Sequence, residues 1–300
     1  MPSIHAPLQA QISFPLPRDK LENPQQYLDK YDLDNLVPAQ LETIPIWDLR
    51  DEFDAGMGGK NAVEQLDSTG YAYVKHESNY ATYEALSDAE LSEKYLEECC
   101  ELYKELLGAT KVLAWNSVVR SAVGPKDVTA KQQQKVEKNH APTADPKATA
   151  STAHVDQDVE YARTILKRAA GDDVFEKYSR CQIINLWRPL VPRVTNKPLL
   201  VSDFFSMDPE KDCMRMAGGY GTAYSVSYSP AQRWAYLSHQ RPTEPLLLKC
   251  YDSNMGAHGE SLYTAHVAGD ILNERPLPAG EEVDEVPRMS VEVRLFVLHE

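Results

Sequence analysis

The stretch Ser-Thr-Ala-His154-Val-Asp156-Gln-Asp carries a histidine and an aspartate two positions apart. In an extended segment, residues at this spacing point the same way, so both side chains can face one metal ion. One imidazole, one carboxylate and a second imidazole from elsewhere occupy one face of an octahedral Fe(II) ion and leave the opposite positions for substrate and dioxygen. An oxygenase is therefore the leading prediction.

The pair is not sufficient by itself, because 45 acidic residues and 8 histidines in 300 positions produce such spacings by chance. A second match, His258-Gly-Glu260, lies in Asn-Met-Gly-Ala-His-Gly-Glu-Ser. That stretch is loop-like, and its glycines would hold ligands poorly. We therefore place the predicted site at His154 and Asp156.

The third ligand must come from a later strand that can lie beside the His154 segment. His266 fits best, because Leu262-Tyr-Thr-Ala-His-Val-Ala alternates as a strand and would display its side chain rigidly. His239 and His258 lie in turn-like sequence instead. The alternative for His266 is the structural role that a lone histidine in a strand ordinarily has.

A possible anion site follows in Pro287-Arg-Met-Ser-Val-Glu-Val-Arg-Leu-Phe, where Arg288, Ser290, Glu292 and Arg294 share one face of a predicted strand. A planar guanidinium beside a hydroxyl is suited to hold a carboxylate at two points. The alternative is an edge strand whose polar face meets solvent, with Arg294 paired to Glu292 or another acid.

The elements that must position these residues change in character along the chain. Residues 1–45 are rich in proline and predict an arm over the core that can add an edge strand. A long polar segment, 125–146, leads directly to His154 and is typical of an active-site cover. Further predicted elements before residue 175 are helices near 60–67, Ser87–Leu107 and 158–170, and strands at 70–76 and 111–119.

Short strands dominate the rest of the chain. Helices followed by many short strands predict the α+β class with a sandwich or jelly roll rather than alternating βαβ units. The predicted strands are 181–187, 199–205, 222–228, 233–238, 245–251, 262–267 and 289–298. Nothing resembles a flexible linker between two halves, so we expect one domain over residues 1–300.

Composition narrows the class of partner. A net charge of −14 would repel nucleic acid and anionic lipid surfaces, which favours a small-molecule substrate. No leader-like N-terminus or membrane-length apolar run is present in the sequence, so we expect a cytoplasmic protein. The five cysteines lack a Cys-x-x-Cys spacing and are predicted to be free thiols.

Six blocks in this order resemble the iron(II)- and 2-oxoglutarate-dependent hydroxylase/desaturase family, which includes aspergillic-acid hydroxylase, gibberellin desaturase and cephem methoxylase-like proteins. The resemblance covers about residues 65–298. The blocks are His154-Val-Asp-Gln, Asn185-Leu-Trp-Arg-Pro-Leu190, Arg233-Trp-Ala-Tyr-Leu-Ser238, Leu248-Lys-Cys-Tyr-Asp-Ser253, Tyr263-Thr-Ala-His266 and Pro287-Arg-Met-Ser-Val-Glu-Val-Arg294.

The resemblance implies a double-stranded β-helix core, of the jelly-roll or cupin-like kind, with flanking helices. It also implies Fe(II), O2 and 2-oxoglutarate as cofactor and co-substrates, and hydroxylation or desaturation of a small specialised metabolite with release of succinate and CO2. By this similarity His154, Asp156 and His266 would ligate iron, and Arg288 with Ser290 would hold the distal carboxylate of 2-oxoglutarate.

Two departures from the family make Arg294 the second choice for that carboxylate. The family usually reads His-Thr-Ala-Phe where this chain has His266-Val-Ala-Gly269, and an insertion at Leu272–Val286 widens the gap to Arg288. We predict that Asn185, Trp187 and Arg188 border the substrate. The alternative is a structural role, because Trp-Arg-Pro at a strand end is also suited to packing. Two other functions stay open: a cupin-like metal dioxygenase that does not use 2-oxoglutarate, and a non-catalytic jelly-roll binding protein.

Overall fold

The computed structural model describes residues 8–29, 36–59, 61–123, 146–218, 221–277, 280 and 286–300. The predicted cover at 125–146 lies outside these residues except for its last position. The eight α-helices of the described part are α1 Gln26–Asp29, α2 Arg50–Asp54, α3 Ala62–Thr69, α4 Tyr83–Ser87, α5 Ala89–Leu107, α6 Val159–Ala170, α7 Val174–Lys177 and α8 Pro209–Asp212.

Strands make up most of the remaining regular structure in the described residues. They are β1 Leu8–Pro15, β2 Ala39–Asp48, β3 Tyr71–Tyr73, β4 Lys111–Ser121, β5 Lys147–Ala148, β6 His154–Val155, β7 Arg180–Pro189, β8 Leu199–Ser202, β9 Cys213–Gly218, β10 Gly221–Val226, β11 Trp234–Tyr236, β12 Leu246–Asp252, β13 His266–Ala268, β14 Asp270–Ile271 and β15 Met289–His299.

The strands form two sheets. A nine-stranded sheet has the order β14-β1-β2-β11-β8-β13-β6-β10-β9, and a six-stranded sheet has the order β3-β12-β7-β15-β4-β5. Trp187, Leu246 and Leu248 of the smaller sheet pack in one core cluster with Val201 and Ala235 of the larger one. The two sheets therefore face each other across a shared interior, as in the predicted jelly roll.

The outer face of the six-stranded sheet is covered by helices. Every second residue of β15 packs in the cluster that also contains the buried stripe of α5; these residues are Val291, Val293, Leu295 and Val297. Since side chains alternate along a strand, the polar residues between them point into the space between the sheets. This alternation puts Ser290, Glu292 and Arg294 inside the molecule, and all three are buried.

The long helix α5 was predicted correctly except at its first turn. Asp88 is the N-cap residue, and its carboxylate accepts a hydrogen bond from the Leu91 N–H. Ser87, the first residue of the predicted helix, instead ends the preceding helix α4. An aspartate at the N-cap offers both an acceptor and a charge that suits the helix dipole. At the other end Gly108 adopts φ 63°, as expected of a glycine stop.

Two further predictions need correction. The arm supplies two strands, and neither β1 nor β2 is an edge, because β1 lies between β14 and β2 and β2 lies between β1 and β11. The predicted strand at 262–267 is regular only from His266, because Thr264 and Ala265 make single backbone hydrogen bonds, with Lys249 and Ser202, rather than a continuous ladder. The cysteines are free thiols, as predicted. No helix of the described residues is long and apolar enough to cross a bilayer.

Candidate metal centre

The two predicted histidine ligands come from neighbouring strands of the nine-stranded sheet. His154 on β6 is the direct antiparallel partner of His266 on β13, and the centres of the two imidazole rings lie 4.4 Å apart. Each Nδ1 faces the backbone carbonyl two residues earlier, at 2.7 Å for Thr152 and 3.2 Å for Thr264. A carbonyl can only accept, so each Nδ1 donates its hydrogen there, and Nε2 is the ring nitrogen that faces Asp156 and would face a metal.

Asp156 follows β6 and presents one carboxylate oxygen to both imidazoles. Its Oδ1 lies 3.3 Å from Nε2 of His154 and 3.6 Å from Nε2 of His266. Ligand atoms of the three residues all lie within 4.8 Å of one another. Adjacent ligands of an octahedral ion, each about 2.1 Å from it, are about 3 Å apart. The three side chains therefore have the spacing of a three-ligand metal site.

The second oxygen of Asp156 is fully occupied. Its Oδ2 accepts hydrogen bonds from Nδ2 of Asn185 at 2.8 Å, and from Nη2 and Nε of Arg294 at 3.0 and 3.3 Å. Burial alone would raise the pKa of Asp156, but the charge of Arg294 and the hydrogen bonds of both histidines hold that pKa well below its usual range. Asp156 is thus an ionised carboxylate, the form that binds cations.

The segment after the ligands is anchored by Asp158, the N-cap of α6. Its carboxylate accepts from the Tyr161 N–H at 2.7 Å and pairs with Nε of Arg215 on β9 at 2.6 Å. Its own N–H donates to the carbonyl of Thr222 on β10. Together with the β6 pairing, these contacts hold the ligand segment at both ends.

Arg294 links the candidate ligands to the six-stranded sheet. It is aligned with Asn185 on β7 and with Asn116 on β4. Besides Asp156, its guanidinium contacts Oε1 of Glu292 at 2.8 Å and Oδ1 of Asn116 at 3.2 Å. Burial disfavours the charged form, but Glu292 and Asp156 outweigh that cost and raise the pKa of Arg294 above its ordinary value.

Arg288 is buried without a carboxylate partner among the described residues. Its Nη1 donates to the Lys197 carbonyl and its backbone N–H to Oδ1 of Asn196, while its Nε and the hydroxyl of Ser290 have no hydrogen-bond partner. Burial, with a smaller contribution from the like charge of Arg120, lowers the pKa of Arg288 to about 9. A buried cation beside an unsatisfied hydroxyl is a receptor for an anion.

The three predicted substrate residues occupy different places. Asn185 contacts Asp156. The indole of Trp187 lies between the two sheets, and the Arg288 guanidinium is 5.5 Å from its ring centre. Arg188 is on the opposite face of β7, where it donates to the Tyr95 hydroxyl and to the backbone carbonyls of His76 and Pro242. Asn185 therefore lies beside the candidate ligands, whereas Arg188 lies on the face of β7 that packs against α5.

The other histidines considered for the third ligand do not reach the cluster. His239 contacts the Arg275 carbonyl through Nε2. His258 lies in an exposed turn, and its backbone N–H donates to the Glu260 carboxylate. Within the described residues, His154, Asp156 and His266 form the one group of this kind. Asn116 was not predicted; an asparagine in the middle of a predicted strand was the available signal, because such a residue needs hydrogen-bond partners when it is buried.

The chain matches a family model described as an oxidoreductase/YMDC permease-like domain over residues 26–298. It is 31% identical over 215 residues to the hydroxylase/desaturase efuI of Hormonema carpetanum, which covers 63% of this chain and 67% of that protein. It is 29% identical over 243 residues to the alpha-ketoglutarate-dependent dioxygenase phiK of a fungal species, covering 78% of this chain and 79% of phiK.

A solved structure has the same fold. The iron and alpha-ketoglutarate-dependent endoperoxidase NvfI superimposes with a TM-score of 0.72 over 97% of both chains, at 21% sequence identity. This likeness confirms the predicted double-stranded β-helix with flanking helices.

Proposed function

The chain belongs to the Fe(II)- and 2-oxoglutarate-dependent hydroxylase/desaturase family, and we propose that His154, Asp156 and His266 are its iron ligands. As a member of that family the protein is a dioxygenase that uses Fe(II), 2-oxoglutarate and O2. It hydroxylates or desaturates a small specialised metabolite, with release of succinate and CO2.

The observation that carries the ligand proposal is the convergence of the three side chains. Their ligand atoms lie within 4.8 Å of one another, and the remaining ring nitrogen of each histidine is already used on a backbone carbonyl. Two imidazoles and one carboxylate are the donor set that suits non-haem Fe(II), and they leave positions for a bidentate 2-oxo acid and dioxygen. The chain's share of the work is to hold these groups and exclude water.

For the distal carboxylate of 2-oxoglutarate we propose Arg288 and Ser290. The unpartnered Nε and hydroxyl of these buried residues support this choice over Arg294, whose nitrogens are engaged by Asp156, Glu292 and Asn116. After the insertion, Asn196 holds the backbone just before β15: its amide donates to the Val286 carbonyl, and its Oδ1 accepts from the Arg288 N–H.

The charges of the interior support a dicarboxylic co-substrate over direct binding of substrate to the metal. Around the cluster the charges of Arg288, Arg294, Asp156 and Glu292 sum to zero, although both carboxylates contact Arg294 and neither contacts Arg288. A ferrous ion adds two positive charges, and the two carboxylates of 2-oxoglutarate cancel them. Uncompensated charge in a buried site is costly. Binding of the ferrous ion together with 2-oxoglutarate is therefore favoured over binding of the ion alone.

We propose the same domain organisation as the sequence suggests: one domain over 1–300, with residues 65–298 as the catalytic core. The pairing of β1 and β2 with strands of the nine-stranded sheet supports a single unit. The substrate is a small molecule. We further propose a cytoplasmic location. The net charge of −14 supports our proposal of no nucleic-acid or membrane partner.

The test is 2-oxoglutarate turnover by variants of the ligand pair. We expect His154→Ala and Asp156→Ala to lose succinate release with Fe(II) and O2, and to lose the visible charge-transfer band that Fe(II) and 2-oxoglutarate give anaerobically. His258→Ala is the matched control, since it removes the other His-x-acid histidine, and it should keep both signals.

Circular dichroism and thermal unfolding show whether the variants fold. Folded His154→Ala and Asp156→Ala proteins with native succinate release would disprove the ligand assignment. Oxygen consumption by the native protein that does not depend on 2-oxoglutarate would favour the cupin-like dioxygenase. A native protein that binds no Fe(II) would favour a binding protein.

A further inference from the structure

We propose that Asn185 and Arg294 are positioning residues that keep Asp156 a ligand through one oxygen only; this inference rests on the proposed iron site. Oδ2 of Asp156 accepts three N–H groups from these two residues, whereas Oδ1 faces both imidazoles. A carboxylate that also turned Oδ2 to the ion would occupy a fourth position and leave only two. Three open positions are needed for a bidentate 2-oxo acid and dioxygen.

The row that holds Oδ2 is built into the strand register of the smaller sheet. Arg294 on the central strand β15 has Asn185 directly beside it on β7 and Asn116 directly beside it on β4. The pairing of β15 with β4 shifts immediately after Arg294, so that Leu295 faces Ala114 and Trp115 is the extra residue of a bulge. Bulges bend a strand and redirect side chains, and they are frequent beside active sites.

Every nitrogen of the Arg294 guanidinium has a partner, which fixes the plane of the group. Nε and Nη2 contact Asp156, Nη2 also contacts Glu292, and Nη1 donates to Asn116. A guanidinium presents its N–H groups in a rigid fork, so a lysine in its place could hold Oδ2 through one point at most. The side chain of Arg294 is 10% exposed, which leaves little room for water to replace these contacts.

Strand β7 supplies a matched control for each of the two residues: Gln182 for Asn185, and Arg180 for Arg294. On β7, Nε2 of Gln182 donates to Oδ2 of Asp252 at 2.9 Å, just as Nδ2 of Asn185 donates to Oδ2 of Asp156 at 2.8 Å. Arg180 likewise pairs with Asp252 at 2.6 Å, as Arg294 does with Asp156. Neither Gln182 nor Arg180 contacts the candidate ligands. Asn185→Leu is therefore compared with Gln182→Met, and Arg294→Lys with Arg180→Lys.

The readouts are Co(II) binding and the Co(II) absorption spectrum, measured without oxygen, with thermal unfolding of each apoprotein. We expect Asn185→Leu and Arg294→Lys to bind Co(II) about 10- to 100-fold more weakly, as is typical when a partner of a ligand is removed. Their Co(II) spectra should also differ from the native spectrum, and 2-oxoglutarate should perturb them less. Gln182→Met and Arg180→Lys should lose stability but keep native Co(II) affinity and spectrum.

The outcomes separate this inference from the iron site on which it rests. Native Co(II) affinity and spectrum in both Asn185→Leu and Arg294→Lys would overturn the positioning role while leaving the iron site intact. A weaker affinity for 2-oxoglutarate with unchanged Co(II) binding in Arg294→Lys would assign that residue to the co-substrate instead. Equal loss of Co(II) binding in the control variants would reduce the effect to general destabilisation. Absence of Co(II) and Fe(II) binding in the native protein would defeat the iron site itself.

Discussion

The burial of Arg288 is explained by the carboxylate that we propose it binds. This guanidinium is 1% exposed and has no carboxylate partner among the described residues, so its burial costs folding free energy, because desolvation of a charge is costly. The backbone nevertheless holds it firmly, through Asn196 and Lys197. Function and stability are therefore opposed at this position.

The variant Arg288→Met keeps most of the side-chain volume. It should separate the effect of Arg288 on 2-oxoglutarate binding from its effect on stability. We expect the Michaelis constant for 2-oxoglutarate to rise about 10- to 100-fold, the value of hydrogen bonds to a charged group. We also expect the apoprotein to unfold at the same or a higher temperature, because an unpaired buried charge is gone. Succinate assays and calorimetry measure the two effects.

Arg120→Gln is the control, since it removes a neighbouring positive charge whose side chain donates to the Ala148 carbonyl. It should change the Michaelis constant by less than about threefold, as expected for a partly exposed charge. An unchanged constant in Arg288→Met would move the carboxylate role elsewhere.

At the residue scale the sequence contained the three side chains that converge in the candidate site. His154 and Asp156 could be predicted because alternation in an extended segment is local, and His266 because it falls in a strand pattern. The roles of Asn116 and Asn185 could not, because they depend on which residues stand beside Arg294 across three strands. Register between distant strands is not written in any one segment.

At the scale of elements, helix α6 begins directly after the ligand segment. Its N-terminus is stabilised by the cap residue Asp158. Asp158, the N-cap, is fully buried and its carboxylate accepts from the Tyr161 N–H. We expect Asp158→Ala to lower the free energy of unfolding by about 1–2 kcal/mol through loss of the cap, and by up to about 1 kcal/mol more through loss of the partly exposed pair with Arg215. Urea denaturation followed by circular dichroism measures it.

Asp173 offers a matched comparison, since it is the N-cap residue of α7 but its side chain accepts no cap hydrogen bond. Asp173→Ala should change the free energy of unfolding by less than about 0.5 kcal/mol, as is common for surface substitutions. Equal effects of the two substitutions would argue against the cap explanation for Asp158.

Element prediction succeeded where hydrophobic periodicity is strong and failed where long-range pairing decides. The stripe of α5 and the strands β7, β12 and β15 follow their sequence patterns closely. The proline-rich arm was expected to contribute at most an edge strand, yet β2 pairs in parallel with β11, almost two hundred positions later. Nothing within residues 39–48 specifies that partner.

For the whole molecule, a buried ion network joins the start of β7 to β12 and α3. Lys249 is fully buried and contacts Asp67 at 2.7 Å and Asp252 at 3.0 Å, while Arg180 contacts the same two carboxylates. Burial alone would raise the pKa of Asp252, but Arg180 and Lys249 lower it below its ordinary value. Ionised Asp252 is therefore part of the folded state at neutral pH.

Asp252→Asn should destabilise the protein by about 3 kcal/mol at pH 7, because Lys249 loses one of its two charge partners in the interior. A carboxyl group with a lowered pKa stabilises the fold fully above the unfolded value of about 3.9, and this contribution is lost as the pH falls through the folded pKa. The difference between native protein and variant should thus be constant from about pH 5 to 7 and shrink below about pH 4.

Denaturation at several pH values measures that difference. The control is Glu90→Gln, which removes the exposed i,i+4 pair with Lys94 and should cost about 0.5 kcal/mol or less. A difference for Asp252→Asn that persisted unchanged to pH 3 would show that shape rather than charge explains the loss.

Asp156 lies between the two sheets: His154 and His266 of the larger sheet meet its one oxygen, and Asn185 and Arg294 of the smaller sheet meet the other. The groups that define the cluster are thus spread from position 154 to position 294. During translation, no growing chain holds the complete set until the ribosome has passed codon 294. A chain that ended before that position would lack a group that holds Asp156, and we expect it to bind iron weakly at the proposed site.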